Sequence, residues 1–152
     1  VQETLIETYA AHYLNPNNRN MTLFPEVLPC LQRLKQQGYW LAVATGKGRS
    51  GLDRSIEQTG TQAFWLETAC ASEYPSKPAP DMVLALCDRL GVEPEEAVVV
   101  GDTTHDLEMA ANAKIRAIAV TTGAHTAQQL SAMPHVAMLN SLAELPDVLE
   151  TL

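Results

Sequence analysis

The sequence predicts an α/β protein in which short apolar strands alternate with helices and form a parallel sheet covered on both faces. Two observations carry this prediction. The Ala-Val-Val-Val run at residues 97–100 is continuously apolar, as expected of a strand buried on both faces, and it stops at Gly101. Other short apolar runs lie between segments with helical spacing that end at a glycine.

Hydrophobic spacing and the positions of Gly and Pro predict the order of the elements. Leu5, Ile6, Tyr9 and Tyr13 fall near one helical face, which predicts a helix over residues 1–13. The following elements are a polar loop at 15–20, a helix from Pro25 to a stop at Gly38, a strand at 39–44, a helix at 52–58, a strand at 64–66, a helix at 81–90, a strand at 97–100, a helix through 107–110, a strand at 117–120, a helix at 127–132, a strand at 136–139 and a helix at 142–149.

Composition and charge limit the kinds of function. With 152 residues, of which 46% are hydrophobic and 18% charged, the chain matches one folded domain rather than a disordered segment. A formal net charge of -8 argues against general nucleic-acid binding, which needs clustered Lys and Arg. A small phosphorylated ligand remains compatible, because a few local cations and a metal ion can outweigh the global charge. No apolar run approaches the roughly 20 residues that cross a bilayer, so no membrane association is expected.

Two further features concern the origin of the chain. Cys30, Cys70 and Cys87 are odd in number and lack a CxxC spacing, which favours buried, reduced thiols and a cytoplasmic location. The first residue is Val1 rather than methionine, so we expect a fragment or a processed chain.

Three loops of the predicted sheet carry residues that phosphate chemistry uses. Thr45 and Gly46 end a strand, where a hydroxyl and backbone N–H groups can donate hydrogen bonds to phosphoryl oxygens. Lys77 precedes a proline, which favours an extended backbone and can direct the ammonium group into a pocket. Asp102 and Asp106 follow the buried strand at the sheet edge where ligands bind, and two carboxylates suit Mg²⁺.

Each of these residues also has an ordinary structural role. In that alternative interpretation, the Thr45 loop would be a plain strand-to-turn connection and Lys77 a solvated surface charge. Asp102 would cap the following helix, the helix dipole would favour the Asp106 carboxylate, and His105 would be a surface neighbour. Together and in this order, the three loops are a more specific signal and predict a magnesium-dependent phosphate site.

With these motifs the chain resembles the haloacid dehalogenase (HAD) superfamily, specifically its phosphoglycolate phosphatase-like branch. The matching segments cover nearly the whole chain and are residues 23–27, 41–47, 76–81, 98–106, 110–113, 119–123 and 141–145. The resemblance implies a Rossmann-like, HAD-type core and a role for each site residue. By match, Thr45 and Gly46 bind the phosphoryl group and Lys77 stabilises negative charge. Asp102 ligates Mg²⁺, and Asp106 completes or orients the metal shell.

The chain departs from the family pattern in its N-terminal part. The family's aspartate nucleophile lies in an Asp-x-Asp-Gly-Thr signature on a first, central strand, and this chain contains no such run. The resemblance therefore implies that residues 1–14 are a remnant of the helical cap, that 15–152 are an incomplete core domain, and that the first central strand is missing. The strand edges exposed by that gap would favour a homodimer or another pairing. At Lys114, where relatives usually have a glycine, either a non-glycine helix end or a different turn is expected.

The predicted function is that of a phosphatase core. A longer parent would hydrolyse a small phosphomonoester with Mg²⁺, whereas the chain as given would be inactive because it lacks the nucleophile. An alternative is a catalytically silent HAD-like binding or assembly module, for which the missing nucleophile and the negative charge argue. A receiver-like signalling domain also clusters aspartates with a Thr and a Lys, but its acidic pair comes earlier in the chain. The expected partner is a small phosphorylated metabolite.

Overall fold

The sheet is built around the apolar run that ends at Gly101. The computed structural model describes residues 4–8 (backbone only), 27–121 and 125–151, and it contains a six-stranded sheet in the order β3-β2-β1-β4-β5-β6. Every adjacent pair is parallel. The strands are β1 (Thr4–Thr8), β2 (Trp40–Thr45), β3 (Trp65–Cys70), β4 (Ala97–Gly101), β5 (Arg116–Val120) and β6 (Ala137–Leu139). The helices are α1 (Val27–Gln36), α2 (Arg49–Thr59), α3 (Asp81–Leu90), α4 (Thr104–Asn112), α5 (Ala127–Ser131) and α6 (Leu145–Glu150).

Helices cover both faces of the sheet, as the sequence predicts. Successive strand residues point to opposite faces, so β4 supplies Val98 and Val100 to one core and Val99 to the other. The first core includes α1, α2 and α6, and the second includes α3, α4 and α5. All five residues of β4 are buried, which confirms the prediction of a strand covered on both faces. None of the helices described is long and apolar enough to span a bilayer.

The N-terminal segment differs from the prediction. The helix expected over residues 1–13 is wrong for Thr4–Thr8, which forms β1 at the centre of the sheet. The backbone of β1 pairs with β2 on one side and β4 on the other. The central position is therefore occupied, although by Thr-Leu-Ile-Glu-Thr rather than by an Asp-x-Asp-Gly-Thr segment. Pairing satisfies backbone groups that both neighbouring strands would otherwise leave without partners, so the two exposed edges expected at the gap are not present.

Helix ends follow the glycine signals. Gly60 ends α2 and Gly91 ends α3, both in the left-handed conformation, with φ of 67° and 70°. Lys114, which follows α4, has a φ of 60°, so the chain uses a non-glycine residue in the same left-handed role. The predicted loop at 15–20 and the expected helix start at Pro25 lie outside the described residues.

Three free, buried cysteines confirm the expectation of reduced thiols. They are Cys30, Cys70 and Cys87. Burial, together with the nearby carboxylates of Glu93 and Glu96, raises the pKa of the Cys87 thiol to about 11. Cys87 is therefore a neutral, apolar part of the core at physiological pH.

Candidate functional site

Two predicted site residues end the strands on either side of β1. Thr45 is the last residue of β2 and is 1% exposed. Asp102 directly follows β4 and is fully buried. Because β2 and β4 both run parallel to β1, these residues lie at the same edge of the sheet, at the carboxyl ends of its strands. This is the edge at which open α/β sheets bind ligands.

Asp106 organises the loop that joins β4 to α4. Its Oδ2 atom accepts hydrogen bonds from the backbone N–H groups of Asp102 and Thr103, each at 3.1 Å. In return, the Asp106 N–H donates to Thr103 Oγ1 at 3.2 Å, which completes a capping box. The helix cap is thus Thr103 and not Asp102. Asp106 stabilises the helix start, as its ordinary structural role predicts, and it also fixes the backbone that carries Asp102.

Gly101 makes room for this carboxylate. A Cβ atom placed on Gly101 would lie 2.3 Å from Asp106 Cβ and 2.7 Å from its Oδ2. Both distances are far below van der Waals contact, so the absence of a side chain at the end of β4 is a requirement of the loop.

Lys77 contacts the same carboxylate from a separate loop. Its Nζ atom lies 2.6 Å from Asp106 Oδ1, with side chains 12% and 1% exposed. The turn that carries Lys77 is closed by a hydrogen bond from Ala79 N to Ser76 O, and Asn112 of α4 donates to Pro78 O at 3.0 Å. Lys77 is therefore a largely buried, paired cation rather than a solvated surface charge. The contact joins two segments that lie 29 residues apart in the chain.

A cavity of about 340 Å³ opens at this edge of the sheet. Its lining residues are Gly46, Ser76, Lys77, Thr103, His105 and Asp106. Three predicted residues (Gly46, Lys77 and Asp106) therefore share one cavity, whereas Thr45 and Asp102 are buried and are not among the lining residues described. His105 is exposed, as expected, but it also faces the cavity.

The loop after Thr45 is tied to the turn after β3. Thr45 Oγ1 accepts a hydrogen bond from the Lys47 N–H at 3.2 Å, and the Lys47 carbonyl accepts one from Ala71 N at 3.0 Å. Arg49 N donates to Ser72 Oγ at 2.7 Å. These bonds hold Gly46 in place at the cavity while leaving space around its Cα, since nothing lies within 4 Å of an added Cβ.

Arg49 strengthens the same connection through its side chain. Its guanidinium donates to Thr68 Oγ1 at 2.8 Å and lies 2.7 Å from a carboxylate oxygen of Glu73. The hydrogen bond from Arg49 lowers the pKa of Glu73, and the bond to Glu73 raises the pKa of Arg49. The ion pair is partly solvated, with side chains 35% and 37% exposed.

We expect Glu73→Gln to destabilise the protein in a pH-dependent way. Because the folded pKa of Glu73 lies below its ordinary value of 4.5, the ion pair stabilises the fold above that value. This stabilisation is lost as pH falls through the folded pKa. Solvent screening limits the effect to about 0.5 kcal/mol at neutral pH. Urea denaturation of the parent and the variant, from neutral pH down to below the folded pKa of Glu73, measures the difference in free energy of unfolding. Glu108→Gln, at an exposed position, is the control. A difference that grows on acidification would contradict the assignment.

The carboxylates at this sheet edge fit Mg²⁺ in type and in number. Within the described ranges, no group of three or more His, Cys, Asp or Glu side chains is arranged to hold an ion. Mg²⁺ needs only one or two carboxylates, because water and substrate phosphate supply its other ligands. Asp102 is the buried carboxylate at the strand end, and Asp106 already accepts three hydrogen bonds.

Sequence reasoning missed four residues in or next to the candidate site: Thr103, Ser76, Asn112 and His125, whose Nδ1 accepts a hydrogen bond from the Thr104 N–H at 3.0 Å. Thr103 had a readable signal, because Thr-x-x-Asp before a helical pattern is a capping box. No pattern in the sequence indicated Ser76, Asn112 or His125. The contacts of Asn112 and His125 join segments 34 and 21 residues apart, which no local pattern reports.

Comparison with known proteins agrees with this architecture. The sequence model of the family described as "Haloacid dehalogenase-like hydrolase" matches residues 1–120. The chain therefore belongs to the haloacid dehalogenase-like hydrolase family, and the resemblance found in the sequence is confirmed.

Individual relatives carry phosphatase names. The chain is 39% identical over 124 residues to the "Probable phosphatase IndB" of Dickeya dadantii, covering 81% of this chain and 54% of that protein. It is 32% identical over 145 residues to "Pyrophosphatase PpaX" of Bacillus velezensis, covering 94% and 67%. It is 27% identical over 143 residues to the "Phosphoglycolate phosphatase" of Vibrio vulnificus, covering 93% and 63%. The chain thus spans about half to two thirds of the length of these relatives.

Solved structures show the same fold. A protein described as a predicted phosphoglycolate phosphatase from Haemophilus somnus superposes with a TM-score of 0.78 at 26% identity, covering 84% of this chain and 57% of that one. A haloacid dehalogenase-like family hydrolase from Streptococcus pneumoniae covers 97% of this chain and 98% of its own, with a TM-score of 0.83. At 14% identity, that second likeness concerns the fold alone.

Proposed function

We propose that this chain is the core of a magnesium-dependent phosphatase that acts on a small phosphomonoester in a longer polypeptide. The observation that carries the proposal is the buried Lys77–Asp106 pair at 2.6 Å, next to Asp102 at the end of β4. A cation, a metal-binding carboxylate and a threonine hydroxyl at one sheet edge form a suitable set for a phosphoryl group. The phosphatase names of the relatives, and the family itself, support the same chemistry.

Each residue has a distinct task in this proposal. Asp102 would hold Mg²⁺, which when bound neutralises charge on phosphoryl oxygens. Lys77 would stabilise negative charge as a positioned ammonium group, and Asp106 would orient Lys77 and the loop of Asp102. Thr45 would donate its hydroxyl to a phosphoryl oxygen while its Oγ1 accepts from Lys47, and Gly46 would lend its backbone.

The chain as given would bind without turning over. Its sequence contains no Asp-x-Asp-Gly-Thr run, so no aspartate is available in that position to form an aspartyl-phosphate. We further propose a small metabolite rather than a nucleic acid as ligand, given the net charge of -8. The free, buried cysteines favour a reducing compartment such as the cytoplasm.

An NMR titration with Mg²⁺ and inorganic phosphate tests the proposal. The backbone amides of residues 101–106 should shift on addition of the metal, and Asp102→Asn should weaken Mg²⁺ binding by more than about 100-fold. Asp88→Asn, which changes an exposed carboxylate on α3, should bind like the parent. Equal binding by the parent and Asp102→Asn would rule out the assigned role. Robust hydrolysis of p-nitrophenyl phosphate by the chain alone would refute its expected inactivity.

A second candidate is a catalytically silent binding or assembly module. One observation favours it: β1 occupies the central position of the sheet without bringing the nucleophile signature. The same titration separates the two candidates, because a silent module has no reason to bind Mg²⁺ and phosphate through Asp102.

A further inference from the structure

His125 contacts the start of the helix that follows the carboxylate loop. The Thr104 N–H, at the first residue of α4, donates to His125 Nδ1 at 3.0 Å. The first N–H groups of a helix have no partner within the helix and need an acceptor from elsewhere. Here the acceptor is an imidazole from the segment after β5, and this geometry requires a His125 Nδ1 that carries no proton.

The same contact affects both functional parts of the loop. Asp102 lies two residues before Thr104, and Asp106 lies in the first turn of the helix that Thr104 begins. The ring of His125 also lies near the ring of His105, with centroids 6.2 Å apart and planes tilted by 59°. His105 in turn lines the cavity.

His125 is itself held by a well-defined helix start. The next residue, Thr126, caps α5, its Oγ1 accepts from Gln129 N at 3.2 Å, and Gln129 Oε1 accepts from Thr126 N at 2.8 Å. Leu130 of α5 is fully buried in the core that also contains Leu107 of α4. The imidazole therefore extends from a backbone that is anchored to α4 by packing.

We propose that His125 is a positioning residue for the phosphate site, because its imidazole fixes the start of α4 and with it the Asp102–Asp106 loop. This inference rests on the proposed function for the identity of the site, and it adds a residue that the β4 and Lys77 motifs do not contain. His125 need not touch the ligand. It acts through Thr104, from whose N–H it accepts a hydrogen bond, and its ring lies near that of His105.

Three substitutions separate positioning from general stability. His125→Leu removes the acceptor. His125→Asn restores one, since its Oδ1 is bonded to Cγ as Nδ1 is in histidine. His135→Leu is the matched control, because His135 contacts only the nearby Met133 carbonyl among the described bonds.

The readouts are amide hydrogen exchange by NMR and Mg²⁺ affinity of the 152-residue chain. His125→Leu should speed exchange at Thr104 by about tenfold or more and weaken Mg²⁺ binding by about tenfold. His125→Asn should recover most of both losses, and His135→Leu should match the parent.

The outcomes distinguish this inference from the proposed function. If Mg²⁺ binding depends on Asp102 but is unchanged in His125→Leu, His125 is a structural cap and the inference fails. If no variant binds Mg²⁺, the proposed function fails. The amide shifts of residues 102–106 then decide whether His125 fixes the loop, because unchanged shifts in His125→Leu would overturn the inference.

Discussion

Asp106→Ala is expected to destabilise the protein by about 3–5 kcal/mol, because it removes one partner of a buried ion pair. The Lys77 side chain, 12% exposed, would lose the carboxylate that lies 2.6 Å from its Nζ atom. The N–H groups of Asp102 and Thr103 would also lose their shared acceptor, Oδ2. Urea denaturation of the parent and the variant measures the loss.

A double variant that combines Asp106→Ala with Lys77→Met tests this prediction further. Lys77→Met introduced into Asp106→Ala removes the uncompensated charge, so the double variant should be more stable than Asp106→Ala alone. A coupling of at least about 1 kcal/mol is expected for groups in direct contact. Glu108→Ala, an exposed carboxylate of the same helix, should change stability by less than about 0.5 kcal/mol. Additive losses, or an Asp106→Ala variant as stable as the parent, would show that the pair has no such role.

Gly101→Ala should cost about 2–3 kcal/mol through overpacking at the end of β4. The added methyl group would lie 2.3 Å from Asp106 Cβ and 2.7 Å from Asp106 Cγ, so either the strand or the carboxylate must move. Because β4 is fully buried and paired on both sides, we expect the carboxylate to give way and the capping box to open.

The amide resonances of Asp102, Thr103 and Asp106 report this movement, alongside the free energy of unfolding. Gly46→Ala is the matched control, since it adds the same methyl group at the same sheet edge where nothing lies within 4 Å. It should change stability by less than about 0.5 kcal/mol. Equal effects of the two substitutions would mean that the close approach at Gly101 is not a constraint.

The parts of the fold that local patterns determine were predictable. The continuous apolar run of β4 identified a strand buried on both faces, and Gly60 and Gly91 marked the ends of α2 and α3. The strand β3 was predicted only over residues 64–66 but continues to Cys70, because residues 67–70 pair with residues 42–45 of β2 although they are not uniformly apolar.

The N-terminal strand was not predictable from local pattern. Residues 4–8 contain apolar positions that fit a helical spacing, yet pairing on both sides of the segment determines its conformation. Tertiary pairing of this kind overrides a weak local preference. Its partners, at 40–44 and 97–100, are too distant for any short window to report.

The candidate site likewise contains residues that local patterns indicate and residues that they do not. Residue type and position after apolar strands indicated Thr45, Gly46, Asp102 and Asp106 as candidates. The 2.6 Å contact between Lys77 and Asp106 fits that set. Lys77 could be identified only through its order relative to the other two loops. The supports of those loops, Asn112 and His125, were invisible because their role depends on contacts between distant segments.

The central place of β1 has a consequence for how the chain acquires its structure during synthesis. Both pairing partners of β1 are made after it, and the second of them, β4, emerges only after α3 is complete. Contacts of such long sequence separation slow folding, since a large loop must close before they form. Until the ribosome has released residue 100, β1 has at most one neighbour, so the two halves of the sheet cannot join before β4 has emerged.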